Sequence, residues 1–173
     1  MAFRRSESNG PRSDRYISKI IARNKKMDKS DLIKHGFHNG DNFLVFPLLI
    51  KDPTETYHEN IWRSFRYAKE NNHMFSIDSE VVQRLLQPLL EEYFDSMLEA
   101  NRDIQNPCTF ANQTTCFEWY GENTYTIDSC LKIIERLQPF NAEDTVIKEF
   151  ISLLSETIEK AKGESGLIVF DGP

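Results

Sequence analysis

The sequence FLVFPLLI, residues 43–50, is the longest uninterrupted apolar run in the chain. Eight residues are too few for a membrane-spanning helix, which needs roughly twenty. Pro47 also disfavours a buried helix, because proline lacks the backbone donor that the helical ladder needs. We therefore expect a buried strand here, with the apolar residues 167–170 as its most plausible neighbour.

Helical spacing governs much of the sequence that follows. Asp52, Pro53 and Glu55 have the order of an N-cap, a first-turn proline and a capping-box acid. This order predicts a helix over residues 53–70. The residues of its apolar stripe are Tyr57, Ile61, Phe65 and Ala68.

A second helical pattern covers residues 79–102 and contains a proline, Pro88. Proline cannot donate a hydrogen bond to the preceding turn. We expect a kink at this position, or two abutting helices at 79–87 and 88–102.

Two more helices are expected, one capped near Thr126 and one that follows Asn141 and ends at Gly163. The predicted fold is mainly α: an irregular bundle of five or six helices. It includes at most a small two-stranded β element, at about residues 43–50 and 167–170.

The length and composition predict one globular domain. The chain has 173 residues, of which 39% are apolar, enough for a single core and too few for two comfortable ones. We expect a flexible basic tail at residues 1–12 and one globular domain at 13–173. An amphipathic basic helix at 14–26 is expected at the periphery of that domain.

Charge is distributed unevenly along the chain. The net charge is −6, whereas residues 1–40 contain ten basic and four acidic side chains, or +6, so the other 133 residues carry −12. A basic arm of this kind can contact nucleic acid. It can also remain solvated or fold against the acidic body. The basic side chains predicted to contact phosphates in the first case are Arg4, Arg5, Arg12, Arg15, Lys19, Arg23, Lys25 and Lys26.

Common catalytic and nucleotide-binding motifs are absent from the sequence, including the phosphate-binding loop, the dinucleotide fingerprint, the zinc-protease helix and the nucleophile elbow. His35, His38 and Asp41 lie within seven residues and are a weak signal for a divalent metal. We interpret them as ordinary loop residues. No catalytic residue, metal or cofactor is predicted.

Three cysteines form an odd set: Cys108, Cys116 and Cys130. No apolar segment typical of a signal peptide follows the arginines near residue 1. Reduced, packed thiols and a cytoplasmic location are therefore expected, without membrane association.

Residues 103–125 break all simple periodicity, although 114–117 could form a short strand and Tyr120 begins a turn. Aromatic and acidic side chains alternate near the end of this segment. Such clusters are typical of protein-binding patches, but also of core anchors where a loop meets a helix. The candidate partner-binding residues are Glu118, Trp119, Tyr120 and Glu122.

The function that composition favours is a non-enzymatic protein-binding module, such as an acidic inhibitor or a toxin-immunity protein that neutralises a basic partner. The alternative is a nucleic-acid-associated accessory protein that binds through residues 1–30. An enzyme with dispersed residues is the third class. A cleft that gathers His35, His38 or His58 with carboxylates would indicate it.

Overall fold

The computed structural model describes residues 18–19, 32–93 and 119–173. Within them, five strands form one antiparallel sheet in the order β1-β3-β2-β5-β4. The strands are β1 (Ile33–His35), β2 (Asn42–Pro47), β3 (Phe75–Asp78), β4 (Glu122–Thr126) and β5 (Leu167–Asp171). The prediction of a mainly α bundle with a two-stranded element is therefore wrong.

The predicted pairing of the two apolar runs is present. Val45 of β2 lies opposite Phe170 of β5, and Phe46 lies opposite Val169. This pair is the interior of a larger sheet, because β3 pairs with the other edge of β2 and β4 with the other edge of β5. Both strands are buried on both faces, which explains why they are continuously apolar.

Four helical segments cover the sheet. They are α1 (Tyr57–Glu70), α2 (residues 79–92), α3 (Ile127–Leu137) and α4 (Thr145–Lys162). The side chains of α1 pack with Phe46 and Val169 on one face, whereas α2, α3 and α4 pack with Val45 and Phe170 on the other. Side chains of a strand alternate between faces, so the sheet is the middle of three layers.

Helix α1 begins later than the sequence predicts. Its N-cap is Thr56, whose hydroxyl oxygen accepts from the Glu59 N–H. The Glu59 carboxylate in turn accepts from the Thr56 N–H. Asp52 instead closes a turn by accepting from the N–H and hydroxyl groups of Thr54. Both Asp52 and Thr56 have side chains that can cap a helix. Thr56 is the actual cap, and the helix that starts there packs Tyr57 against the sheet.

Pro88 disturbs α2 as predicted, but through a widened turn. Residues 82–86 form one turn of π-helix, in which the Gln87 N–H donates to the Val82 carbonyl. A wide turn lets the chain pass a residue that cannot donate to the ladder. Beyond Tyr93, the predicted helix to residue 102 lies outside the described residues.

The caps of the last two helices determine how the chain leaves and re-enters the sheet. Thr126 caps α3 as predicted. Helix α4 is capped by Asp144 and not by Asn141, since the Asp144 carboxylate accepts from the N–H groups of Val146 and Ile147. Gly163 ends α4 as expected and leads into β5.

Of the predicted basic helix at 14–26, the structure describes only Ser18 and Lys19, which are helical and exposed. The predicted tail at 1–12 and strand at 114–117 lie outside the described residues. Within the described ranges, no helix is both long enough and apolar enough to cross a membrane.

Candidate functional site

Two carboxylates lie side by side where β4 begins and β5 ends. Glu122 and Asp171 are direct partners in the β4–β5 register. The Gly172 N–H donates to the Gly121 carbonyl at 3.0 Å, so the next pair along, Glu122 with Asp171, is the close type without hydrogen bonds between its own backbones. Side chains of such a pair share one face of the sheet and are near neighbours.

Partial burial disfavours the state in which both carboxyl groups of this pair are charged. Burial, and next the charge of Glu122, raises the pKa of Asp171 to about 6. Burial also raises the pKa of Glu122, an effect that the neighbouring His58 partly offsets. A half-buried carboxyl beside a second carboxyl favours its neutral form, because the charged form loses solvation and meets a like charge.

An imidazole from α1 completes the cluster. His58 Nδ1 lies 3.4 Å from Glu122 Oε2. The first turn of α1 is held over β4 by a buried hydrogen bond between the Tyr57 and Thr124 hydroxyl groups, 2.9 Å long. The His58 side chain is 63% exposed, because it lies off the apolar stripe of α1.

A turn at residues 119–121 enters β4 and separates two aromatic side chains. Trp119 packs inward, edge to face on Phe43 with ring centroids 4.9 Å apart. Tyr120 points outward and is 82% exposed. The sequence predicted both residues for one binding patch, and the structure brings only Tyr120 to the surface with Glu122. Glu118 lies outside the described residues.

Close backbone packing fixes the position of this turn. A Cβ atom at Gly172 would overlap the carbonyl group of Trp119. Only glycine allows such an approach of two backbones. The turn that presents Tyr120 is therefore held by the segment directly after β5.

A second exposed aromatic ring lies on the same side of the sheet. Trp62 follows His58 by one turn of α1, is 60% exposed, and contacts Phe65 edge to face at 5.9 Å. Residues four apart on a helix lie on one face. We call the following five residues the sheet-end patch: His58, Trp62, Tyr120, Glu122 and Asp171.

Two further histidines and the cysteine of residues 32–93 and 119–173 lie outside this patch. His35 Nε2 lies 3.3 Å from Glu156 Oε2, and the ring of His38 bonds to the His35 carbonyl. Cys130 is fully buried, and burial raises the pKa of its thiol. Across the described ranges, no three His, Cys, Asp or Glu side chains are grouped in a way that could hold a metal ion.

An open depression of about 530 Å³ lies elsewhere, at the start of α4, where Asn141, Glu143 and Lys148 line it. The carboxylate of Asp144 already occupies the first free N–H groups of that helix. The depression therefore presents no anion-binding helix end.

Of the basic residues predicted to contact phosphates, the structure describes only Lys19. Asp171 and Trp62 were not predicted as members of the patch, and His58 was named only as a residue that a catalytic cleft could gather with carboxylates. The one available signal was the expected terminal strand, which ends next to Asp171. No signal pointed to β4 as its neighbour.

Comparisons of this chain with family models, with curated proteins and with solved structures gave no match.

Proposed function

We propose that this chain is a non-enzymatic protein-binding module that neutralises or regulates a basic protein through the sheet-end patch, in the manner of an acidic inhibitor or a toxin-immunity protein. The observation that carries the proposal is the exposure of two large aromatic rings: Tyr120, 82% exposed and two residues before Glu122, and Trp62, 60% exposed and one helical turn from His58. Binding energy in protein interfaces concentrates on Trp and Tyr side chains.

Charge supports a basic partner. The body of the chain outside residues 1–40 carries −12, and Glu122 and Asp171 contribute to that charge within the patch. Complementary potentials accelerate the encounter of two proteins and disfavour partners of the wrong sign. An acidic surface with aromatic anchors therefore suits a cationic protein such as a nuclease.

The grouping of His58 with two carboxylates is also typical of acid–base enzymes. Catalytic groups of that kind work in a cleft that holds the substrate and limits water. The His58 side chain is 63% exposed and offers no such enclosure, so recognition is better supported than catalysis. A cytoplasmic location is part of the proposal, since Cys130 is a free thiol and reduced cysteines are usual there.

The function is tested by affinity capture from the native host with the full chain as bait, with and without nuclease. A second bait carries glutamine at Arg4, Arg5, Arg12 and Arg15. We expect one basic protein in stoichiometric amount with both baits, unaffected by nuclease. Recovery that disappears with nuclease and with the glutamine bait would instead establish the nucleic-acid alternative, in which phosphate contacts dominate the affinity.

A further inference from the structure

The sheet-end patch contains a carboxyl pair that a small change of pH can discharge. Glu122 and Asp171 face each other from neighbouring strands as a close pair. On the other side of Asp171, β2 contributes Leu44 at the paired position, an apolar side chain that cannot solvate a charge. The described charges that shift the pKa values of the pair are that of His58 from α1, which acts on Glu122, and that of Glu122, which acts on Asp171.

The surroundings of the two carboxylates differ. Glu122 has His58 at 3.4 Å, and the two form an ion pair when the imidazole is protonated. Among the described residues, no basic group shifts the pKa of Asp171 downward, and burial together with the Glu122 charge raises it to about 6. The charge of His58 favours the ionised form of Glu122, so Asp171 is the member of the pair that holds a proton more readily.

We propose that the Glu122–Asp171 pair is a proton switch for the sheet-end patch: when Asp171 releases its proton, the patch gains negative charge and binds its cationic partner more tightly. This inference rests on the proposed function for the identity of the partner, but not for the proton held by Asp171. Above about pH 6 Asp171 is charged. Below it, Asp171 is neutral and binding weakens.

Protonation of the pair is tested without any partner, by following the side-chain carboxyl ¹³C shifts of the full chain against pH. We expect the Asp171 signal to have a midpoint near pH 6. In the Glu122→Gln variant that midpoint should fall by roughly one pH unit, because the like charge is removed. An Asp171 midpoint below pH 4.5, or one that Glu122→Gln leaves in place, would overturn the switch.

The link to binding is tested with a hexa-arginine peptide as the cationic probe, at pH 7.5 and 5.5. The unmodified chain should bind about threefold to fivefold more weakly at the lower pH. Asp171→Asn should bind weakly at both values and lose most of the pH dependence. The matched control is Asp128→Asn, which removes an exposed carboxylate paired with Lys132 and should retain the full pH dependence.

The outcomes separate the two proposals. Peptide binding that is equal at both pH values overturns the switch and leaves the acidic binding surface standing. No peptide binding at either pH, with the Asp171 midpoint still near 6, overturns both the cationic partner and the switch that acts on it.

Discussion

Phe46→Ala and Val45→Ala are both expected to destabilise the protein strongly, although the two residues are neighbours in the sequence. Both side chains are completely buried. Phe46 packs under α1, whereas Val45 packs under α2, α3 and α4. Truncating a buried Phe costs about 3–5 kcal/mol, and removing most of a buried Val side chain costs about 2 kcal/mol.

Urea unfolding followed by circular dichroism measures both changes in the free energy of unfolding. Leu131→Ala is the control, since Leu131 is 48% exposed on α3, and it should change stability by about 0.5 kcal/mol or less. If either Phe46→Ala or Val45→Ala behaves like this control, one face of β2 is uncovered. The three-layer arrangement would then be wrong.

Tyr120→Ala and Trp62→Ala are each expected to weaken binding of the captured partner by about thirtyfold or more, since interface hot spots contribute at least about 2 kcal/mol. Both rings are largely exposed in the free chain, so neither variant should lose thermal stability. Isothermal titration calorimetry gives the affinity, and a thermal melt confirms that each variant is folded.

Leu131→Ala is the matched control for these two variants as well. Leu131 is an exposed apolar side chain on the opposite face of the sheet from α1, and its truncation should leave the affinity unchanged. Equal losses in all three variants would show a nonspecific apolar effect. Unchanged affinity in Tyr120→Ala and Trp62→Ala would remove the sheet-end patch from the interface.

The parts of the fold that the sequence predicts are those with strong local patterns. The runs at 43–46 and 167–170 are apolar on both faces, and their pairing follows from that property. The apolar stripes of α1 and α4 and the cap at Thr126 are equally local. Asp52 and Thr56 are both suitable helix caps by local sequence. The choice between them depends on packing against the sheet, which no local pattern predicts.

Two of the strands that the sequence does not predict, β3 and β4, are short and contain buried polar residues. In β4, the buried Thr124 is hydrogen-bonded to Tyr57, and the buried Asn123 donates to the Phe170 carbonyl at 3.3 Å. In β3, the Ser76 hydroxyl donates to the Gly36 carbonyl. Hydrogen-bond partners that are distant in sequence make these polar residues compatible with burial. A single sequence does not show those partners, so the two segments are not recognised as strands.

The candidate site shows the same division. Tyr120 and Glu122 were predicted because they lie together in the sequence, and they remain together at the start of β4. Trp119 was predicted with them but turns inward onto Phe43. Asp171 and His58 reach the patch only through strand pairing and the placement of α1, neither of which a single sequence displays.

The most direct measurement is site-specific photo-crosslinking from position 120, with the photoreactive residue at position 131 as the control. We expect position 120 to yield one dominant crosslink to a basic protein, and Glu122→Gln with Asp171→Asn in the same chain to reduce its yield. Position 131 should yield none. Equal crosslinking from both positions, or a product from position 120 that is unaffected by removal of the two carboxylates, would contradict the assignment of the sheet-end patch as the binding surface.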